Sequence, residues 1–136
     1  MAFVVKSAIA DAAAKSFAFV ALPTMYGGRR IAAGDVVFVF ASEHDGGQGL
    51  IARGVVTSAE ALPKTPGVAR QSPCVTIAVQ RTGRAKRAFG RADLKPFRDW
   101  DDGRPETELN FKFYRQATNK IGGISDAAAA FLDGFF

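Results

Sequence analysis

Short apolar runs and stretches of strict apolar/polar alternation, separated by glycine and proline, divide this chain into strand-length pieces. Val36-Val37-Phe38-Val39-Phe40-Ala41 is apolar on both alternating faces, which predicts a central strand covered on each side. After the loop Ser42-Glu43-His44-Asp45-Gly46-Gly47-Gln48-Gly49, residues 50–57 resume a β-rich run and make the natural hairpin partner. Gly54 inside that run marks a bulge or a close backbone approach. Val75, Ile77 and Val79 alternate with Thr76, Ala78 and Gln80, so this strand has one dry and one wet face, with Cys74 on the wet parity. Leu109, Phe111 and Phe113 alternate in the same way and predict a further strand, which puts Arg115 on the dry parity.

Two helices are expected, one near each end. The first follows a short strand at 3–6, with Ser7 as N-cap and Ile9, Ala13 and Phe17 at helical spacing. The second starts at Ser125-Asp126, keeps Ala128, Phe131 and Leu132 on one face, and stops at Gly134, with Phe135 and Phe136 tucked into the core. Residues 58–73 hold Pro63, Pro66, Gly67 and Pro73 and read as a connecting loop after a brief turn. The sum is an α+β fold: a small, partly closed mixed β-barrel of five or six strands with flanking helices, forming a single domain over 1–136.

Composition sharpens this outline in three places. Twelve Phe against two Tyr and one Trp imply a Phe-packed interior. The single cysteine, Cys74, excludes an intramolecular disulfide and a thiolate zinc site, reads as an ordinary structural thiol, and fits a reducing, cytoplasmic setting. Apolar runs fall far short of the roughly 18 residues a membrane span needs, and Lys6, Asp11 and Lys15 interrupt the N-terminal stretch before it reaches the length of an export signal.

Charge is the least evenly distributed property. Residues 81–98 hold seven Lys/Arg against one acid, Asp93, a local net charge of +6 in a chain whose total is +5. A concentrated basic stretch ending beside the only tryptophan suits a surface that tracks phosphates and stacks a base: Arg84, Lys86, Arg87 and Arg91 for phosphates, Trp100 for the base. Five acids at 99, 101, 102, 106 and 108 could equally pair with it across a loop.

Other motifs carry less chemistry. Ser42-Glu43-His44-Asp45 offers a hydroxyl, a base and two carboxylates, but adjacent side chains point apart, so no catalytic residue is assigned; His44 reads as a loop residue. With no second histidine a metal site has little support, and no cofactor is expected. Gly47-Gln48-Gly49-Leu50-Ile51-Ala52 matches a dinucleotide fingerprint, yet the run after it is β-branched rather than helical. Ser42 and Glu43 sit where a doubly covered strand ends, a position that commonly borders a ligand cleft. Arg53 and Arg115, on largely apolar faces, each need a carboxylate such as Glu43 or an anionic ligand. Tyr26, Trp100 and Tyr114 are the aromatics able to stack on a base while reaching a polar partner.

Three stretches resemble the PUA-like superfamily, whose EVE, ASCH and YTH branches share a small β-barrel with flanking helices: Gly34-Asp35-Val36-Val37-Phe38-Val39-Phe40-Ala41-Ser42, the returning Gly49-Leu50-Ile51-Ala52-Arg53-Gly54-Val55-Val56, and Lys120-Ile121-Gly122-Gly123-Ile124-Ser125 before an Ala-rich helix. The early tryptophan typical of EVE domains and the ASCH pattern of Gly, Lys, Glu and Arg are absent. The resemblance implies non-catalytic recognition of RNA or DNA, through a pocket that receives one flipped or modified base and is bordered by Ser42 and Glu43. Ser42, Glu43, Arg53, Arg115 and Tyr26 are therefore the expected pocket residues. Two other functions compete. One is an interaction or homodimeric domain whose Phe-rich segment 131–136 forms a self-complementary contact; the other is an enzyme for small anionic substrates using Glu43, Arg53 and Arg115.

Overall fold

The computed structural model describes residues 2–63, 66–67, 72–116 and 118–136. Six strands, β1 (Ala2–Ser7), β2 (Ser16–Met25), β3 (Val36–Ala41), β4 (Gly49–Ala61), β5 (Cys74–Arg84) and β6 (Lys120–Ile124), close a barrel in the order β1-β3-β4-β5-β2-β6. Pairing is parallel for β1/β3 and β2/β6 and antiparallel elsewhere. The expected mixed barrel is thus present, fully closed rather than partly. Closure gives every strand a neighbour on both sides, although the far end of β4, residues 58–61, pairs with β5 alone.

Two cores explain why β1 and β3 are apolar on both faces. Phe3, Val5, Val37 and Val39 point into the barrel, where Phe17, Phe19, Ile77, Val79 and Ile121 meet them. Val4, Phe38 and Phe40 point outward onto Phe89, Leu94, Leu109, Phe113, Ala128 and Leu132. That outer layer is carried by the short helices α1 (Arg91–Leu94) and α2 (Pro105–Leu109), a π-helical turn (Asn110–Tyr114), and α3 (Asp126–Asp133). Ser125 caps α3 as expected, its Oγ accepting from Ala128 N at 3.1 Å. The Ser125 hydroxyl and N–H also donate to Glu108, which ties α3 to α2.

Three expected elements differ. No helix follows Ser7: residues 8–15 are loop, and β2 begins at Ser16. Alanine propensity yields here to closure, because Phe17 and Phe19 must alternate into the barrel for β2 to bridge β5 and β6. Strand β4 extends through Ala61, where a turn was expected, pairing Ser58 with Ala78 and Ala61 with Val75. Its exposed side chains there give no alternation to read. The rest of the expected 58–73 loop includes residues 64, 65 and 68–71, which lie outside the described residues.

The strand expected at 109–113 is instead helix and π turn. Pro105 opens α2 at its first position, and Leu109 and Phe113, four apart, are both buried, so the period-2 pattern was the shadow of a helical one. Arg115 consequently leaves the dry parity; it is exposed, with its guanidinium 4.1 Å from the Phe111 ring centroid. At the C-terminus Phe131, Phe135 and Phe136 pack on Phe89 and Phe38, so none of the three rings is exposed.

Candidate nucleic-acid interface

At the end of β3 the chain turns through a 3-10 segment, Glu43–Asp45, and re-enters the barrel at Gly49. Across that turn runs the segment after β5: Leu50 N donates to Phe89 O at 2.8 Å, and Phe89 bridges Gly49 in parallel. The two crossings set Glu43 against the start of α1. Glu43 Oε2 accepts from Arg91 N at 2.6 Å, while Oε1 accepts from the Tyr114 hydroxyl at 3.0 Å. Tyr114 reaches it because the π turn adds a residue and rotates this side chain off the α-helical path.

Around this carboxylate opens a cavity of about 850 Å³. Phe89 and Tyr114 form apolar walls, Asn110 and Gln48 bring amides, and Arg91, Lys95, Arg98 and Arg115 surround it with cations against Glu43 and Asp93. Trp100, 42% exposed, stands at the rim with its ring centroid 5.4 Å from Phe111, nearly perpendicular to it. The Arg115 guanidinium also lies against Phe111, so an indole and a cation of the cavity lining share contact with one phenyl ring.

Of the residues expected from sequence, Glu43, Arg91, Trp100 and Arg115 converge here. Ser42 lines a smaller adjoining hollow. Arg53 does not join them: its Nε lies 2.8 Å from Asp133 Oδ1, off the line of a good hydrogen bond, so its counter-charge is α3 rather than Glu43. Tyr26 borders a separate hollow of about 480 Å³ with Arg29, Arg30 and Pro73. Arg84, Lys86 and Arg87 are exposed on the segment that leads to the cavity without lining it; Arg87 lies 4.1 Å over the Phe135 ring.

Sequence reasoning did not reach the buried lysines beneath the site. Lys6 Nζ donates to Phe113 O at 2.7 Å and Lys120 Nζ to Lys112 O at 2.9 Å, so two ammonium groups hold the carbonyls of the turn that presents Tyr114. A lysine inside an apolar strand is the signal that could have found them. Burial, reinforced by repulsion from Lys120 and partly offset by Glu43, lowers Lys6 to about 8. Burial lowers Lys120 as well, whereas burial and then the Glu43 charge push the Tyr114 hydroxyl well above its ordinary value.

Between about pH 8 and 10.5 the unfolded chain keeps the Lys6 proton and the folded one sheds it, so stability rises with pH, by up to about 1.4 kcal/mol per unit. Above pH 10 Tyr114 acts oppositely, since only the unfolded chain ionises. Urea midpoints at pH 8, 9 and 10 are expected to climb in the wild type and to climb less in Lys6→Met, Lys120 supplying the remainder. An unchanged slope in the variant would refute the assignment.

The sequence matches no family model and no curated protein. Solved structures do share the fold. Human THYN1 in complex with DNA containing 5-methylcytosine is 16% identical, with a TM-score of 0.63 over 96% of this chain and 94% of that one. A Pseudomonas putida protein is 13% identical, with a TM-score of 0.64 over 99% of both chains. An ASCH protein of Zymomonas mobilis is 9% identical, with a TM-score of 0.54 over 98% of this chain and 96% of its own.

Proposed function

We propose that this chain, which has the PUA-like fold of those structures, is a non-catalytic nucleic-acid-binding domain that takes one extruded base into the Glu43 cavity. The observation that carries the reading is the pairing of chemistries at one opening: an exposed indole and four cations outside, a fixed carboxylate and tyrosine within. A polyanion is drawn to the outer ring, and an unstacked base finds aromatic walls inside. The Glu43 carboxylate is hydrogen-bonded at both oxygens yet keeps lone pairs, which suit a base edge bearing an amino group, as cytosine does. Bound methylated DNA in the THYN1 structure makes DNA with modified cytosine the first ligand to screen, with RNA second.

The test is fluorescence anisotropy with short single- and double-stranded DNA and RNA across a salt series. Binding is expected to weaken steeply as salt rises, and Arg91→Ala/Arg115→Ala is expected to weaken it about tenfold or more at a fixed salt concentration. Absence of binding to every oligonucleotide at low salt would overturn the reading.

A further inference from the structure

Beside the main cavity, and sharing Glu43, Arg91, Tyr114 and Arg115 with it, lies a hollow of about 200 Å³ that reaches Lys6 and Ser42. We propose that this hollow is a phosphate site, seating the phosphate of the nucleotide whose base enters the larger cavity; in that second part the inference rests on the proposed base pocket.

Three cations from separate elements meet here: Lys6 on β1, Arg91 on α1 and Arg115 after the π turn, with His44 at the edge. The acids facing Lys6 are Glu43 and Asp45, and Lys120 adds positive charge from behind. Both act on Lys6 through space, but Glu43 is held by Arg91 N and Tyr114, and Asp45 by Asn119 Nδ2 at 3.0 Å. Among the described residues neither forms an ion pair with Lys6, Arg91 or Arg115, so three cations face two carboxylates. Lys6 spends one of its three N–H donors on Phe113 O and faces the Tyr114 ring at 5.0 Å.

Ser42 adds a donor of a different kind. It is 1% exposed, and its Oγ sits beside the Asp45 carboxylate, which it helps Asn119 to hold below the ordinary carboxylate value, at a geometry short of a full hydrogen bond. A buried hydroxyl so weakly engaged is costly, and a rotamer turn away from Asp45 toward the hollow would let it donate to an anionic oxygen there. Ammonium, guanidinium and hydroxyl donors around a small compartment make up a phosphate-binding set.

The experiment is an amide NMR titration of the full chain with inorganic phosphate, then with deoxycytidine and its 3′- and 5′-monophosphates. Phosphate is expected to shift the amides of Ser42, Glu43 and Arg91, and one monophosphate to bind about tenfold more tightly than the nucleoside. Ser42→Ala, which removes only a hydroxyl, and Arg115→Gln are expected to cut that margin at least threefold while the thermal midpoint stays near wild type; Lys6→Met is a third arm if it folds. Equal affinity for nucleoside and monophosphates, or phosphate shifts confined to residues 84–87, would overturn the proposal. Oligonucleotide binding with no such margin leaves the base pocket standing and the phosphate site refuted. Phosphate shifts at Ser42 without oligonucleotide binding support the anion site and refute its nucleic-acid context.

Discussion

Gly49→Ala is expected to destabilise the domain by roughly 3–5 kcal/mol, a large part of the 5–15 kcal/mol typical of a domain. Two costs coincide at this residue. Its φ of +85° is in the left-handed region, where a side chain is strained by about 1 kcal/mol or more. A Cβ would also sit 2.3 Å from Phe89 O and 2.7 Å from Gly90 Cα, and backbone cannot swing aside. The contact is the hinge of the candidate site, because Phe89 O accepts from Leu50 N and the next residues, Gly90 and Arg91, carry the cavity wall to Glu43. Gly27→Ala is the control. Gly27 has a similar φ of +79°, but a Cβ there meets nothing within 4 Å, so strain alone remains, about 1 kcal/mol. Thermal and urea unfolding of both variants is the check; equal losses would show that the close approach contributes nothing. Oligonucleotide affinity is expected to fall in Gly49→Ala and to hold in Gly27→Ala.

How much the chain revealed in advance depends on the range over which each feature is determined. Val36–Ala41 was legible as a doubly covered strand because its two faces meet two different cores, and that doubles the apolar signal within six residues. Asp126–Asp133 was legible because cap, apolar face and stop are all local. The Ala-rich stretch after Ser7 misled because its local propensity is helical while the decisive requirement, β2 pairing with β5 and β6, involves residues more than fifty positions away. At 109–113 two periods fitted the same residues, and only the packing of Leu109 and Phe113 on β3 distinguishes them.

The site divides along the same line. Glu43, Arg91, Trp100 and Arg115 announced themselves by charge or by being the one tryptophan, whereas their convergence depends on the Gly49–Phe89 crossing, which no spacing rule foretells. Arg53 fitted the same charge argument and went to Asp133. A cation on an apolar strand states that it needs an acid without stating which. Lys95, Arg98 and Asn110 stayed anonymous within a general basic or polar background.

Trp100→Ala is expected to reduce affinity for single-stranded oligonucleotides by about ten- to a hundredfold, the worth of one base stacked on an aromatic ring. Folding should hardly change, since the indole is 42% exposed and meets Phe111 only by an edge-on contact. Trp100→Phe, which keeps an aromatic face, is expected to recover most of the loss. The salt dependence then separates pocket from approach path. Removing a stacking group takes away no counter-ion, so the Trp100→Ala line of log affinity against log salt should run parallel to wild type. Arg84→Ala, Lys86→Ala and Arg87→Ala lie outside the cavity, and each is expected to flatten that line by about one unit if its cation meets a phosphate. Parallel lines for Trp100→Ala and flatter ones for the basic variants would divide the work between a base-reading pocket and a phosphate-tracking segment. An affinity unchanged by Trp100→Ala would remove the stacking platform and leave the basic stretch as the whole of the interface.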